Sequence, residues 1–259
     1  MIYGDYDVDG TTAVALVYKF LRAYSSSLEY YIPDRYDEGY GISFKSIDYA
    51  VSRGITLVIS LDCGIKAIDK VAYANERGVD FIICDHHMPD DELPAAVAVL
   101  DAKRTDSHYP YAHLSGCGVG FKLMQAFAQS NDIPFAMLQG LLELVAVSIA
   151  SDIVPITGEN RILAFHGLRQ LNGNPSFGLR GIINVCGLQH KDILVSDIVF
   201  KIGPRINASG RMMSGKEAVD LLLARDMHEA KALSENIDRY NEDRRELDKK
   251  ITDEANAII

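Results

Sequence analysis

The sequence predicts an α/β protein built on a parallel sheet, and two observations carry that prediction. Short β-branched or aromatic runs alternate with longer amphipathic stretches, the pattern of strands covered by helices. Each run is also near-continuously apolar, as a strand buried on both faces must be. In chain order the candidate strands are residues 2–3, 28–32, 57–61, 81–84 and 97–100, separated by helical patterns such as 12–23 and 65–77. Past residue 110 the pattern turns helical: an apolar run over 138–149 ends at Ser151-Asp152, and a Gly-rich stretch comes next over 158–187. From about Met227, Leu233, Ile237, Tyr240, Leu247 and Ile251 recur at spacings of about three and four in a mixed-charge background, which predicts one long helix. Both ends read as cut, because Asp5 needs a strand before it where only Met1 to Tyr3 remain, and the final apolar stripe has nothing after it to pack on.

Composition sets the outer bounds. A chain of 259 residues suits one large domain or one and a half, and 48% apolar with 24% charged residues excludes disordered, collagen-like and disulfide-scaffold classes. No stretch approaches the ~20 apolar residues of a membrane span. The start, MIYGDYDVDG, lacks the basic and apolar regions of a signal peptide, so the expected compartment is the cytoplasm. Cys63, Cys84, Cys117 and Cys186 are scattered with no CxxC pair, which argues against a disulfide framework or a zinc ribbon and for small apolar roles. The net charge of −10 advertises no basic field for nucleic acid, although bound divalent cations reverse the local sign of an acidic site.

The strand ends carry such a site. Asp5, Asp7 and Asp9 come after the first strand, Asp62 after the third, Asp85-His86-His87 after the fourth and Asp101 after the fifth. In open parallel sheets ligands bind outside the carboxyl ends of the strands, so these side chains are expected to share one crevice. The DxDxDG of residues 5–10 starts like an EF-hand loop, but the bidentate Glu of position twelve falls at Leu16 and no helix precedes it. It also fails as a P-loop, since it has no Lys and three carboxylates repel phosphate unless metals intervene. The plainer reading is an acidic turn with Asp9 or Thr11 capping the next helix. Asp85 beside two imidazoles offers oxygen and nitrogen donors suited to manganese, iron or zinc. With Asp152 the set exceeds what one ion needs, so two are expected, which would generate a hydroxide nucleophile and clamp a phosphoryl group. The glycine loop at Ser115-Gly116 lacks dinucleotide-binding spacing, though its amides suit a phosphate. GPRINASGRM, residues 203–212, reads as turn residues carrying Arg205 and Arg211, the residue type for bidentate phosphate contact.

The series GDYDVDG, SLDCG, CDHH and ASDIVP resembles the four motifs of the DHH phosphoesterase superfamily, and KIGPRINASGRM is similar to a signature of its RecJ branch of single-strand-specific DNA exonucleases. The resemblance runs from residue 1 to about 215. It implies a parallel-sheet α/β/α domain over 1–225, with its first strand truncated, followed by a helical start of a connection to an absent second domain over 226–259. It implies two divalent ions, Mn2+ or Mg2+, and 5′-to-3′ hydrolysis of single-stranded DNA in repair and recombination. By position, Asp7, Asp9, Asp62, His86 and Asp152 match metal ligands, with Asp62 as the bridge. Asp5 and Asp85 match motif acids that ligate or support. His87 matches a histidine that contacts the scissile phosphate or assists the leaving group. Arg211, Arg205, Asn207 and Arg35 would contact DNA, as would Ser115 and Gly116. A monomer is expected, with a repair helicase or single-strand-binding protein as partner. The competing readings are a sister enzyme for short oligoribonucleotides or cyclic dinucleotides, and a scaffold that kept the fold without the chemistry.

Overall fold

A computed structural model describes residues 1–258. The first part of the chain runs β1 (Ile2–Gly4), α1 (Val8–Arg22), β2 (Tyr30–Tyr31), α2 (Phe44–Ser52), β3 (Leu57–Leu61), α3 (Ile68–Asn75), β4 (Asp80–Cys84) and β5 (Ala98–Leu100). Helices come next: α4 (Gly116–Ser130), α5 (Ala136–Gln139), α6 (Leu142–Ser151), α7 (Gly158–Gly173), α8 (Phe177–Val185) and α9 (Val195–Asp197). A π-helical turn (Ile198–Ile202) leads into α10 (Gly203–Met212), α11 (Gly215–Leu222) and α12 (Met227–Ile258).

The strands form one parallel sheet in the order β2-β1-β3-β4-β5. The five apolar runs of the sequence are these strands, although the run over 28–32 pairs only through Tyr30 and Tyr31. Side chains alternate between two cores, as a period of two requires. Ile2, Ile59, Leu61 and Cys84 join the core built with α1, α4 and α6, while Tyr3, Val58, Phe81 and Ile83 join the one built with α2 and α3. Burying a large aliphatic side chain stabilises by roughly 1.5–3 kcal/mol relative to leaving it exposed, so a sheet covered on both faces selects unbroken apolar runs rather than alternation.

Three local expectations change. The first helix after the sheet starts at Gly116, inside what the sequence reads as a glycine loop, with Ser115 as its N-cap, accepting from the Gly118 amide at 3.1 Å. The Gly-rich stretch is mostly helical, because its glycines serve close packing: a Cβ on Gly167 of α7 would sit 2.1 Å from the Leu142 carbonyl oxygen of α6. GPRINASGRM is the helix α10 rather than a turn. Pro204 lies in the first helical turn, where a missing N–H costs little. The long terminal helix forms as expected, burying Ala230, Ser234, Ile237 and Asn241 in its first half and leaving Leu247 and Ile251 exposed.

Candidate active site

The sheet register lines up Gly4, Leu61, Cys84 and Leu100 across four strands. The next residue on each is therefore at one level, and in every case it is a buried aspartate: Asp5, Asp62, Asp85 and Asp101. The ladder even continues one step into the row, with the Asp62 amide 2.9 Å from the Cys84 oxygen and the Asp85 amide 3.0 Å from the Leu100 oxygen. From β1 the chain proceeds to β2 on one side and β3 on the other, so the strand order reverses between β1 and β3. That switch point is where an open α/β sheet has its ligand crevice.

The start of α1 adds two more acids. Asp7, rather than Asp9 or Thr11, is the N-cap, accepting from the Gly10 amide at 3.0 Å. The Thr11 hydroxyl instead donates back to the Asp7 carbonyl at 2.6 Å. Asp9 is thereby freed to turn inward against the N-terminus of α4. Its Oδ2 accepts from the Gly116 amide at 2.7 Å, and its Oδ1 from the Cys117 amide and the Ser148 hydroxyl, each at 2.7 Å. Gly116 can come this close because it has no side chain: a Cβ there would lie 2.6 Å from Asp62 Oδ1. The Gly116 amide is thus committed to a carboxylate, and Ser115 Oγ to the Gly118 amide and the Ser148 hydroxyl, rather than standing free for the phosphate expected of them.

His86 stands at the centre. Its Nε2 is 3.0 Å from Asp62 Oδ1, 3.6 Å from Asp9 Oδ2 and 3.7 Å from Asp152 Oδ2, the last at the C-cap of α6. Asp9, His86 and Asp152 form one group whose donor atoms all lie within 4.8 Å of one another, and Asp62, His86 and His87 form another. Asp62 adopts a backbone φ of 61°, a left-handed conformation that costs a non-glycine residue energy and is commonly kept only where a site requires it. Burial and the charges of Asp9, Asp7, Asp85 and Asp5 push the Asp62 carboxyl well above the usual range. Burial and Asp7 push Asp5 up to about 7, while burial and Asp9 push Asp152 up to about 6. Asp7 moves up for the same reasons, burial first and Asp9 next.

These groups fit divalent cations. Asp5 Oδ1, Asp62 Oδ1 and both ring nitrogens of His86 are buried without a hydrogen-bond partner, and buried polar atoms left this way call for an explanation such as an ion. Mixed carboxylate and imidazole donors suit manganese, and the carboxylates suit magnesium. The four cysteines are free, and Cys63, Cys84 and Cys117 are buried as apolar residues outside both donor groups.

Asp85 and His87 form a separate pair. Asp85 Oδ1 accepts from the His86 and His87 amides at 2.7 and 3.1 Å and faces His87 Nδ1 at 2.7 Å, while Oδ2 accepts from the Ile65 amide at 2.9 Å. Burial pushes the Asp85 carboxyl up, but the His87 ring and these amides outweigh it, so it titrates below the usual range. In return the Asp85 hydrogen bond raises His87 against the opposing effect of burial. With its oxygens so occupied, Asp85 holds the His87 ring in place. His87 keeps Nε2 outward, 3.3 Å from the Tyr40 hydroxyl.

The predicted DNA-contacting residues divide. Arg35 and Arg211 are exposed beside Tyr6, Arg35 with its guanidinium 5.4 Å from the ring centre, and neither makes an ion pair among the described residues. Arg205 instead points to α12, with Nε 2.7 Å from Asp238. Asn207 accepts from the Val8 amide at 3.0 Å and so caps the start of α1. Both are engaged inside the fold, unlike Arg35 and Arg211. Sequence reading missed Ser148, a polar residue within an apolar run, and Lys103, whose ammonium holds the His86 carbonyl.

Fold and site together define an α/β protein with a carboxylate–histidine centre at the switch point of a parallel sheet. The DHH family, N-terminal domain, matches residues 1–149, and the chain belongs to that family. It is 38% identical over its whole length to the single-stranded-DNA-specific exonuclease RecJ of Bacillus subtilis, and 34% identical over 98% of its length to that of Escherichia coli. It spans 32% and 46% of those relatives. A crystal structure of exonuclease RecJ bound to manganese superposes with a TM-score of 0.86 at 31% identity, covering 96% of this chain and 63% of that one. The Mn2+ complex of RecJ from Thermus thermophilus superposes with a TM-score of 0.83 at 29% identity, over 96% of this chain and 36% of that one. No helix among the described residues is long and apolar enough to cross a membrane.

Proposed function

We propose that this chain carries the catalytic centre of a metal-dependent 5′-to-3′ exonuclease acting on single-stranded DNA. The observation that carries the reading is the convergence of Asp9, Asp62 and Asp152 on His86 at the β1/β3 switch point, with Asp62 Oδ1 and both His86 ring nitrogens buried and making no hydrogen bond. Two divalent ions, manganese or magnesium, would be held by Asp7, Asp9, Asp62, His86 and Asp152, with Asp62 shared and Asp5 supporting. When bound, they supply an activated water and neutralise charge on the phosphoryl group. His87, whose proton Asp85 makes harder to lose, would give that Nε2 proton to the departing 3′ oxygen as the P–O bond breaks. Arg35 and Arg211, both without acidic partners, would hold backbone phosphates and set the register of the strand. Residues 1–225 are read as the catalytic domain and 226–259, the last of which lies outside the described residues, as the beginning of a connection to a further domain, in a protein whose cellular partners include single-strand-binding protein or a helicase.

The test is product analysis with Mn2+ on 5′-labelled single-stranded DNA, the same strand in a blunt duplex, and a dinucleotide, with Asp62→Ala alongside. Stepwise release of mononucleotides from the single strand is expected, and none from the variant. Cleavage of the dinucleotide alone would assign the chain to oligonucleotide scavenging, and unchanged turnover in Asp62→Ala would remove the metal assignment.

A further inference from the structure

One of the proposed ligands, Asp9, is oriented by a chain of hydroxyls. Its Oδ1 takes two donors, the Cys117 amide and the Ser148 hydroxyl, whereas Oδ2 takes only the Gly116 amide. Ser148 Oγ also lies 2.5 Å from Ser115 Oγ, and Ser115 Oγ in turn accepts from the Gly118 amide. Each hydroxyl owns a single hydrogen, and an ionised carboxylate only accepts. Ser148 must therefore donate to Asp9, which leaves Ser115 to donate to Ser148. The order runs in one direction, from the Gly118 N–H through Ser115 and Ser148 to Asp9 Oδ1. Ser115 and Ser148 are each 0% exposed and Asp9 is 2% exposed, so water does not compete for these bonds.

We infer that Ser148 is a positioning residue that commits Asp9 to bind its ion through Oδ2 alone. With Oδ1 doubly occupied, the oxygen with spare acceptor capacity is the one 3.6 Å from His86 Nε2. Helix α6 then serves the centre twice, orienting Asp9 through Ser148 and presenting Asp152 one turn later. The inference rests on the divalent-ion reading above. Partners that orient a metal ligand typically contribute 10–100-fold in metal affinity.

The experiment is a calorimetric titration of Mn2+ into the full chain, for the wild type, Ser148→Ala, Ser148→Thr and Ser115→Ala. Wild type binds. Ser148→Ala is expected to bind about 10–100-fold more weakly, Ser148→Thr to recover most of the loss by restoring a hydroxyl, and Ser115→Ala to lose only a few-fold, because the last donor to Asp9 survives. Equal affinity in wild type and Ser148→Ala overturns the inference while leaving the ion site intact. Losses as large in Ser115→Ala as in Ser148→Ala also overturn it, by assigning the effect to the cap of α4. No Mn2+ binding by the wild type would instead remove the ion reading, and this inference with it.

Discussion

Asp62 and Asp197 are both buried acids, 2% and 6% exposed, yet the chain treats them in opposite ways. Asp197, in the helical half, accepts from Lys191 at 2.7 Å and from the Leu194 amide at 3.1 Å, and Lys201 stands 3.4 Å away. Those partners, Lys191 foremost, hold its carboxyl below the usual range. Asp62 has other acids for neighbours, an Oδ1 that makes no hydrogen bond and faces only the His86 ring at 3.0 Å, and a left-handed backbone. Two kinds of buried acid can be told apart in this way. Asp197, supplied with cationic and amide donors, serves the architecture, whereas Asp62, crowded against its own kind, has the surroundings of a cation ligand.

Removing each acid in turn puts this contrast at most risk. Asp62→Ala is expected to abolish metal-dependent hydrolysis, since losing about 4 kcal/mol of transition-state stabilisation is about a thousandfold in rate, while the metal-free chain melts no lower. Asp197→Ala is expected to lower the melting temperature by on the order of 5 °C with activity per folded molecule retained. The reverse pattern in calorimetry and turnover would dissolve the distinction.

Asp85→Asn tests the acid that the structure sets apart from the ligands. Turnover is expected to fall about 10–100-fold. Without the carboxylate His87 gives up its proton more readily, so the alkaline limb of the pH–rate profile moves to lower pH. An unmoved limb would mean that His87 is not the titrating acid.

The pH dependence of the metal-free chain arises from the same crowding. Asp5 titrates at about 7 and Asp152 at about 6 in the fold, against about 3.9 when unfolded. Between roughly pH 4 and 7 the folded state binds more protons, so stability present at the low end is lost as pH rises. The melting temperature should fall across that window, and Mn2+ should raise it more at pH 8 than at pH 5. A metal-free melting temperature that climbs from pH 5 to pH 7 would contradict the crowding of these acids.

The arginines give the smallest expected effect. Arg35→Ala and Arg211→Ala should each reduce the slope of log affinity against log salt for single-stranded DNA by about 0.7. Arg205→Ala, which loses contacts with Asp238 and the Lys201 carbonyl inside the fold, should leave that slope unchanged, and a reduced slope would return Arg205 to the DNA path.

Much of this was legible in the sequence because the strands are unbroken apolar runs and each is followed by an acid. Residues 57–61 are a strand from end to end, and the sheet register then brings Asp5, Asp62 and Asp85 to one edge as the topology rule expects. The parts that stayed hidden depend on distant partners. Asn207 looks like a turn or DNA residue until Val8, 199 positions away, is seen to need its oxygen. Arg205 has the right chemistry for phosphate, but α12 brings Asp238 to it. Pro204 and Gly210 suggested a turn because both are turn residues, whereas one starts a helix and the other lets it pack closely. Ser148 gave no signal at all within an apolar helix.

If the acids of the sheet edge are crowded in order to hold cations, the number of Mn2+ ions bound per chain must differ between wild type and Asp62→Ala. Two ions are expected in the wild type, with loss of both when the shared ligand is removed. A wild type that binds none, or a variant that binds as many as the wild type, would contradict it.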